Sequence, residues 1–310
     1  MNKRIYGIIG IKSIMANWNA DFEGSPKSIS DGSIFGSDKA LKFPIKKMWQ
    51  SEGEKVLYIK SLKNSKQKEG EVLTPRSLKE RYEFIFGNKP EKGEPSAVLK
   101  NLFSAIDVKN FGATFAEEGN NISITGAVQI TQGFNKYEET QIETQQILSP
   151  FRDSTKQEAS QTTIGAKTVS DEAHYIYYFA INPDVYDEYA EMGVTDGYQE
   201  EDYKKFKIAA LQAATSYNTN SKTGCENELG VFIETDKNAY LPDLAQYVFF
   251  KKASKEDEKN TIELKFDKIL NDIKDKIQYI EIYYNPYTTN IETNIENAKM
   301  MNIFTLDEVK

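Results

Sequence analysis

Residues 4–15, RIYGIIGIKSIM, set Ile5, Ile9 and Ile11 on one face, and Gly7 and Gly10 leave room for a close neighbour. That period of two reads as a first strand. A polar, turn-rich stretch, residues 16–21, leads into residues 24–49, GSPKSISDGSIFGSDKALKFPIKKMW. Its Ser/Asp/Gly-rich loop ends where Asp38 is placed to cap a helix carrying Leu41, Ile45 and Met48, with Pro44 inside it. Lys39, Lys42, Lys46 and Lys47 fall in this helix, and lysines at helical spacing on a glycine-rich approach can act as point charges toward a ligand.

Outward from that stretch the elements alternate. Residues 51–73 read as a lysine-rich hairpin or insertion. Thr74-Pro75 reads as a helix start, with Leu78, Tyr82, Ile85 and Phe86 as the apolar stripe. Residues 96–106 read as a second helix, 107–112 as a turn back to extended chain, and 121–131 (NISITGAVQIT) as a strand. Residues 145–170 are long, polar and poor in large apolar side chains, which reads as a loop or a projecting hairpin. Residues 174–181 return to a strand, Asn182-Pro183-Asp184 starts a helix, and 200–217 is a longer helix with Tyr203, Phe206, Ala210 and Leu211 inward. Strands at 228–235, 261–266 and 278–284 and a helix at 268–277 complete the pattern. The order predicts an α+β fold, an antiparallel sheet with helices packed on one side, as in a ferredoxin-like core with insertions.

The 310 residues carry 39 Lys and Arg against 47 Asp and Glu, a formal net charge of −8. An acidic chain argues against one coated in nucleic acid or pressed on a membrane, and leaves room for a local basic groove. No window approaches a membrane span, and the first residues are too interrupted by glycine for a signal sequence. The single cysteine, Cys225, points to a reducing, cytoplasmic setting. One histidine and one cysteine make a zinc site or a Ser-His-Asp triad hard to build, and His174 reads as a packed residue of its strand. No GxGxxG follows a strand and no GxxxxGK[ST] is present. Residues 184–202 carry eight acidic side chains and no basic one, which reads as a solvated face.

Four motifs in order carry a resemblance. Asn17-Trp18-Asn19-Ala20-Asp21 is similar to an Asn-x-Asn-Gly-Asp turn with alanine for the glycine. Gly24-Ser25-Pro26-Lys27 is similar to Gly-Arg-Pro-Lys, and Ser37-Asp38-Lys39-Ala40-Leu41-Lys42 enters a basic helix. Asp107 to Gly112, DVKNFG, with Ile124 to Gln129, ITGAVQ, and the stretch 229–244 ending in Tyr240-Leu241-Pro242-Asp243-Leu244, complete the set. With these the chain resembles the backbone subunit of type I CRISPR-associated Cascade complexes, the Cas-seven family, in its subtype I-B branch.

The resemblance implies one domain over 1–310 with a modified RNA-recognition-motif palm, helical fingers inserted over 51–106 and a β-hairpin thumb over 145–170. It implies a non-catalytic subunit without cofactor or metal that polymerises along CRISPR RNA. Its partners would be adjacent copies of itself, other Cascade subunits and, through the guide, target DNA. Lys27, Ser37, Lys39, Lys42 and Lys47 match positions that contact RNA backbone, and Lys46 joins them on charge alone. Asn17 and Asn19 would build the supporting turn, with backbone capping as the plainer role. Gln129 is either an RNA contact or a solvent-facing strand residue. Phe151, Arg152, Ile164 and Lys167 are the thumb candidates. Aromatic stacking runs are absent, so recognition on a stacked sheet is not expected. Two alternatives stand beside this reading. One is metal-dependent RNA cleavage through Asp21, Asp31 or Asp38. The other is a protein-only scaffold using residues 184–202.

Overall fold

In the computed structural model, residues 1–67, 70–152, 161–255 and 257–309 are described. The chain opens with β1 (Arg4–Ala16), β2 (Phe35–Gly36) and α1 (Asp38–Ser51), followed by the hairpin β3 (Leu62–Gln67) and β4 (Gly70–Pro75). Next come α2 (Leu78–Phe86), α3 (Pro95–Phe103), α4 (Ile106–Phe111) and the short strands β5 (Gly112–Phe115), β6 (Ile122–Thr125), β7 (Val128–Ile130) and β8 (Gly133–Asn135). β9 (Ile142–Arg152) and β10 (Gln161–Ile181) precede α5 (Asp187–Glu191), α6 (Glu200–Ser216) and β11 (Cys225–Thr235). The chain closes with β12 (Val248–Lys251), β13 (Asn260–Leu264), α7 (Asp267–Asp272), β14 (Ile277–Tyr284), β15 (Thr289–Thr293) and β16 (Lys299–Asn302).

The main sheet runs β16-β14-β11-β1-β10-β8-β2, with β7 and β9 also paired to β10. It is antiparallel throughout except where β14 meets β16. β1 sits at its centre, as its two-sided apolar pattern requires. Ile5, Ile9 and Ile11 bury one face with Tyr175, Tyr177 and Phe179 of β10, under α1, α3 and α6. Gly7 is needed there because an added Cβ would lie 1.9 Å from the Val231 carbonyl oxygen and 2.6 Å from the Phe179 ring.

The opposite face is not open to solvent along its length. Ile8, Ile176, Leu229, Val231 and Ile233 pack there against Leu244, Val248, Ile262, Phe266 and Leu270. A second sheet, β12-β13-β15, and α7 supply that cover. The expectation of layers on one side only is therefore corrected: the segment after β11 folds back as a separate apolar layer. Its strands are short, and β13 and β15 run parallel, which hides them from a hairpin-based reading.

Several boundaries also move. Thr74-Pro75 ends β4 rather than starting a helix, and α2 is capped two residues later by a reciprocal Ser77–Glu80 capping box. Residues 107–111 are helical in α4, because α3 stops at Ser104 and the chain re-enters a helix at Ile106. Residues 121–131 form two strands split at Gly126-Ala127, since β6 pairs with β5 whereas β7 pairs with β10. Pro44 does lie within α1, whose N-cap is Ser37 and not Asp38. The polar stretch expected to project is the β9–β10 hairpin, paired from Ile142↔Ser170 out to Arg152↔Gln161. Before Ser170, on the side toward the hairpin tip, β10 is not paired with β1 and is held by β9 alone.

Candidate nucleic-acid interface

The loop from β1 to α1 is a built structure. Lys27 N–H donates to the Asn19 carbonyl, and Phe35 N–H donates to the Lys27 carbonyl, so two small turns are stitched back to back. Asp21 Oδ1 accepts from the N–H groups of Glu23 and Ser25 in the first turn, and Asp31 Oδ1 accepts from Ser33 N–H in the second. Beneath them Trp18 Nε1 donates to the Tyr177 hydroxyl at 2.6 Å, both side chains fully buried. Gly36 passes over that pair so closely that a Cβ would fall 1.8 Å from the Tyr177 oxygen.

Asn17 and Asn19 hold this arrangement together. Asn17 Nδ2 donates to the Gly24 carbonyl at 3.0 Å and to the Thr168 carbonyl at 3.1 Å, tying the loop to the base of the β9–β10 hairpin. Asn19 Nδ2 donates to the Phe35 carbonyl, and its Oδ1 accepts from the Ser37 hydroxyl. Ser37 Oγ in turn accepts from Ala40 N–H as the cap of α1. These three side chains are spent on the scaffold.

The lysines divide. Lys27 and Lys39 are exposed. Lys47 donates to the side chain of Gln50 at 3.3 Å. Lys42 pairs with Asp38 one turn earlier at 2.9 Å and lies over the Phe111 ring. Burial pushes the Asp38 carboxyl up, but the Lys42 hydrogen bond and charge outweigh it and hold it below the usual carboxylate range. Lys46 turns inward: its Nζ donates to the Tyr58 carbonyl at 2.7 Å, and burial lowers its pKa. The same backbone turn is gripped by Asp107, whose two oxygens accept from Leu57 and Tyr58 N–H. Burial pushes the Asp107 carboxyl up against those two bonds. Lys46 and Asp107 thus anchor the start of the β3–β4 insertion onto α1 and α4.

Gln129 is exposed, and its Nε2 donates to the Gly126 carbonyl. Lys167 is half-buried on β10, opposite Gln145. The side chains of Phe151, Arg152 and Ile164 lie outside the described part, although their backbone belongs to β9 and β10.

One residue escaped the sequence reading. Lys222, in the turn before β11, donates to the carbonyls of Asn17, at 2.9 Å, and Trp18. It sits above the Trp18 ring, and burial pushes its pKa down to about 8. Lys222-Thr223-Gly224 offered only a turn signal. His174 is indeed buried, but in an ionic cluster. Its Nδ1 lies 2.8 Å from Glu228 and its Nε2 3.2 Å from Glu172, and its ring stacks on Phe250 at 3.6 Å. Burial opposes the charged ring, yet the two carboxylates raise its pKa overall. In the acidic stretch, Asp184 pairs with Arg4 and Lys237, and Asp196 and Asp202 pair with Lys109. That face is partly neutralised. Among the described residues no helix is long and apolar enough to cross a membrane.

No curated protein matches the chain in sequence. Among solved structures, a chain of a "CRISPR RNA-guided surveillance complex, pre-nicking" is similar at TM-score 0.56 and 13% identity, over 97% of this chain and 98% of that one. A chain of a "CRISPR RNA-guided surveillance complex" matches at TM-score 0.47 and 14% identity, over 97% and 93%. The first likeness is one of fold: the same mixed α and β architecture with mainly antiparallel sheets. The model of the family CRISPR-associated protein Cas7 matches residues 3–269, most of the sequence, and the chain belongs to that family.

Proposed function

We infer that the protein is a non-catalytic backbone subunit of a cytoplasmic, type I-B-like Cascade complex. It binds CRISPR RNA, stacks with further copies and other subunits along it, and presents the guide for pairing with target DNA. The observation that carries this reading is the family match over residues 3–269. The main sheet is the RNA-recognition-motif-like palm, the insertion over 51–106 the fingers, and the projecting hairpin over 145–170 the thumb, all in one domain spanning 1–310. Lys27 and Lys39 meet phosphate as exposed point charges, the half-buried Lys47 joins them, and Gln129 is a further contact from the sheet. Lys42 contributes once it exchanges Asp38 for phosphate. Asn17, Asn19, Ser37 and Lys46 act behind them by holding the backbone that presents those charges. Phe151, Arg152, Ile164 and Lys167 are the thumb's contacts. Asp21 and Asp31 close turns and Asp38 pairs with Lys42, which supports a subunit without hydrolytic chemistry.

The test is co-expression with a CRISPR array and its processing partner, followed by extraction of bound RNA. A discrete RNA of guide-plus-repeat length is expected with the wild-type oligomer and is lost from Lys27→Ala/Lys39→Ala. An RNA-free oligomer unchanged in the double variant would sink the reading.

A further inference from the structure

β2 and β8 bring Phe35 directly opposite Phe134 at the edge of the main sheet. Their ring centroids are 5.9 Å apart with the planes inclined at 36°. The same register sets Phe134 beside Ile176 of β10, so the pair lies on the face that the β12-β13-β15 layer covers further along. That layer reaches Tyr178, whose hydroxyl donates to the Leu241 carbonyl, and His174, stacked on Phe250. It stops short of the edge and leaves Phe134 40% exposed. Lys27 Nζ lies over the Phe35 ring, 6.0 Å from its centroid, and Lys27 forms no ion pair among the described residues. Gln129, opposite Ala180 of β10, is exposed on the same face.

We propose that Phe134, flanked by Phe35 with Lys27 over its ring, forms a stacking platform for one base of a single-stranded RNA. This rests on the guide-binding reading above and adds a site to it. The occupant follows from chemistry: the exposed Phe134 ring, backed by the half-buried Phe35, offers a π face, and the ammonium beside them matches the phosphate that follows a stacked base. An apolar protein partner would use the rings but leave the Lys27 charge without a counterpart in its interface. The platform carries no run of aromatic residues because its two rings come from strands about a hundred residues apart in sequence.

The test titrates the RNA-free chain with single-stranded RNA carrying 2-aminopurine, and measures oligomer size alongside. Phe134→Leu keeps bulk and removes the π face, and Phe134→Trp restores it. Phe134 is exposed, and a thermal melt checks that both variants fold. Stacking predicts that Phe134→Leu weakens binding about 5- to 150-fold, abolishes quenching of one base and leaves the salt slope unchanged. Phe134→Trp recovers both signals. If wild type binds RNA and Phe134→Leu binds and quenches equally, the platform is overturned and the guide-binding reading stands. If Phe134→Leu instead alters oligomer size without RNA, the surface belongs to a neighbouring copy and the platform is overturned. If wild type binds no RNA, the guide-binding reading falls and the platform with it.

Discussion

Lys222 Nζ donates to the backbone carbonyl of Asn17 at 2.9 Å, across 205 residues of sequence. Asn17 in turn holds both the Gly24 loop and the Thr168 end of the hairpin, so one ammonium secures the junction of three segments. Lys222→Met leaves the carbonyls of Asn17 and Trp18 without this donor and is expected to cost about 1–3 kcal/mol. Hydrogen exchange should rise first at the backbone amides of Asn17 and Lys27. The folded-state pKa of about 8 lies below the ordinary 10.5, so the unfolded chain holds more protons between those values. Stability therefore gains with pH across that window in wild type, and Lys222→Met removes that gain. Denaturant melts at pH 7.5 and 9.5 measure both.

The lysines of α1 and its approach should separate in a salt titration of RNA binding. Lys27→Ala and Lys39→Ala each flatten the slope of log affinity against log salt by about 0.7, the value for one phosphate contact on a single strand. Lys46→Ala leaves the slope unchanged and lowers the melting temperature, because it strips the Tyr58 carbonyl of its donor. A slope change for Lys46→Ala would move that lysine into the interface.

The His174 cluster sets an acid-side and a neutral-side limit. The raised imidazole contributes stability that is complete below its ordinary 6.5 and is lost as pH rises through the higher folded value. Glu172 is pulled down to about 2, first by its bond to His174, so its contribution is complete above its ordinary 4.5 and is lost as pH falls through about 2. Between 4.5 and 6.5 both contributions are present. His174→Ala, which strands the buried Glu228, is expected to cost about 3–5 kcal/mol at pH 6 and less as pH rises. Chemical denaturation across pH 5 to 9 would show whether the difference narrows as stated.

Gly7→Ala should be among the most damaging single-methyl changes in the chain. The clash is with a backbone oxygen of β11 and a buried ring of β10, neither of which can swing aside. About 1–3 kcal/mol of overpacking is the least expected, read by the midpoint of urea unfolding. A neutral result would mean that β1 can shift relative to β11.

Much of this architecture was legible because one physical signal dominated locally. The period of two in β1 placed Ile5, Ile9 and Ile11 correctly, and the polar composition of residues 145–170 set them apart as a loop or a projecting hairpin, of which the described residues pair as β9 and β10. Signals failed where a long-range partner decided. Thr74-Pro75 has the chemistry of a helix start, but pairing with Lys63 and Leu62 keeps it extended. The lysine spacing in α1 is helical as read, yet the sequence gives no hint that Lys46 faces the Tyr58 carbonyl while Lys39 faces solvent. Phe35 and Phe134 are each an isolated aromatic in their own segment. Only the strand register makes them neighbours.

The unbroken course of β10 bears on how the molecule carries force. A pull on the far end of the hairpin, directed along the strand, travels through continuous backbone into the stretch from Ser170 to Ile181 that is laddered to β1. Hydrogen bonds in an antiparallel ladder lie across the strand direction, so such a load strains the whole row in shear instead of unzipping it bond by bond. Tension applied along the hairpin would thus be shared by the centre of the sheet.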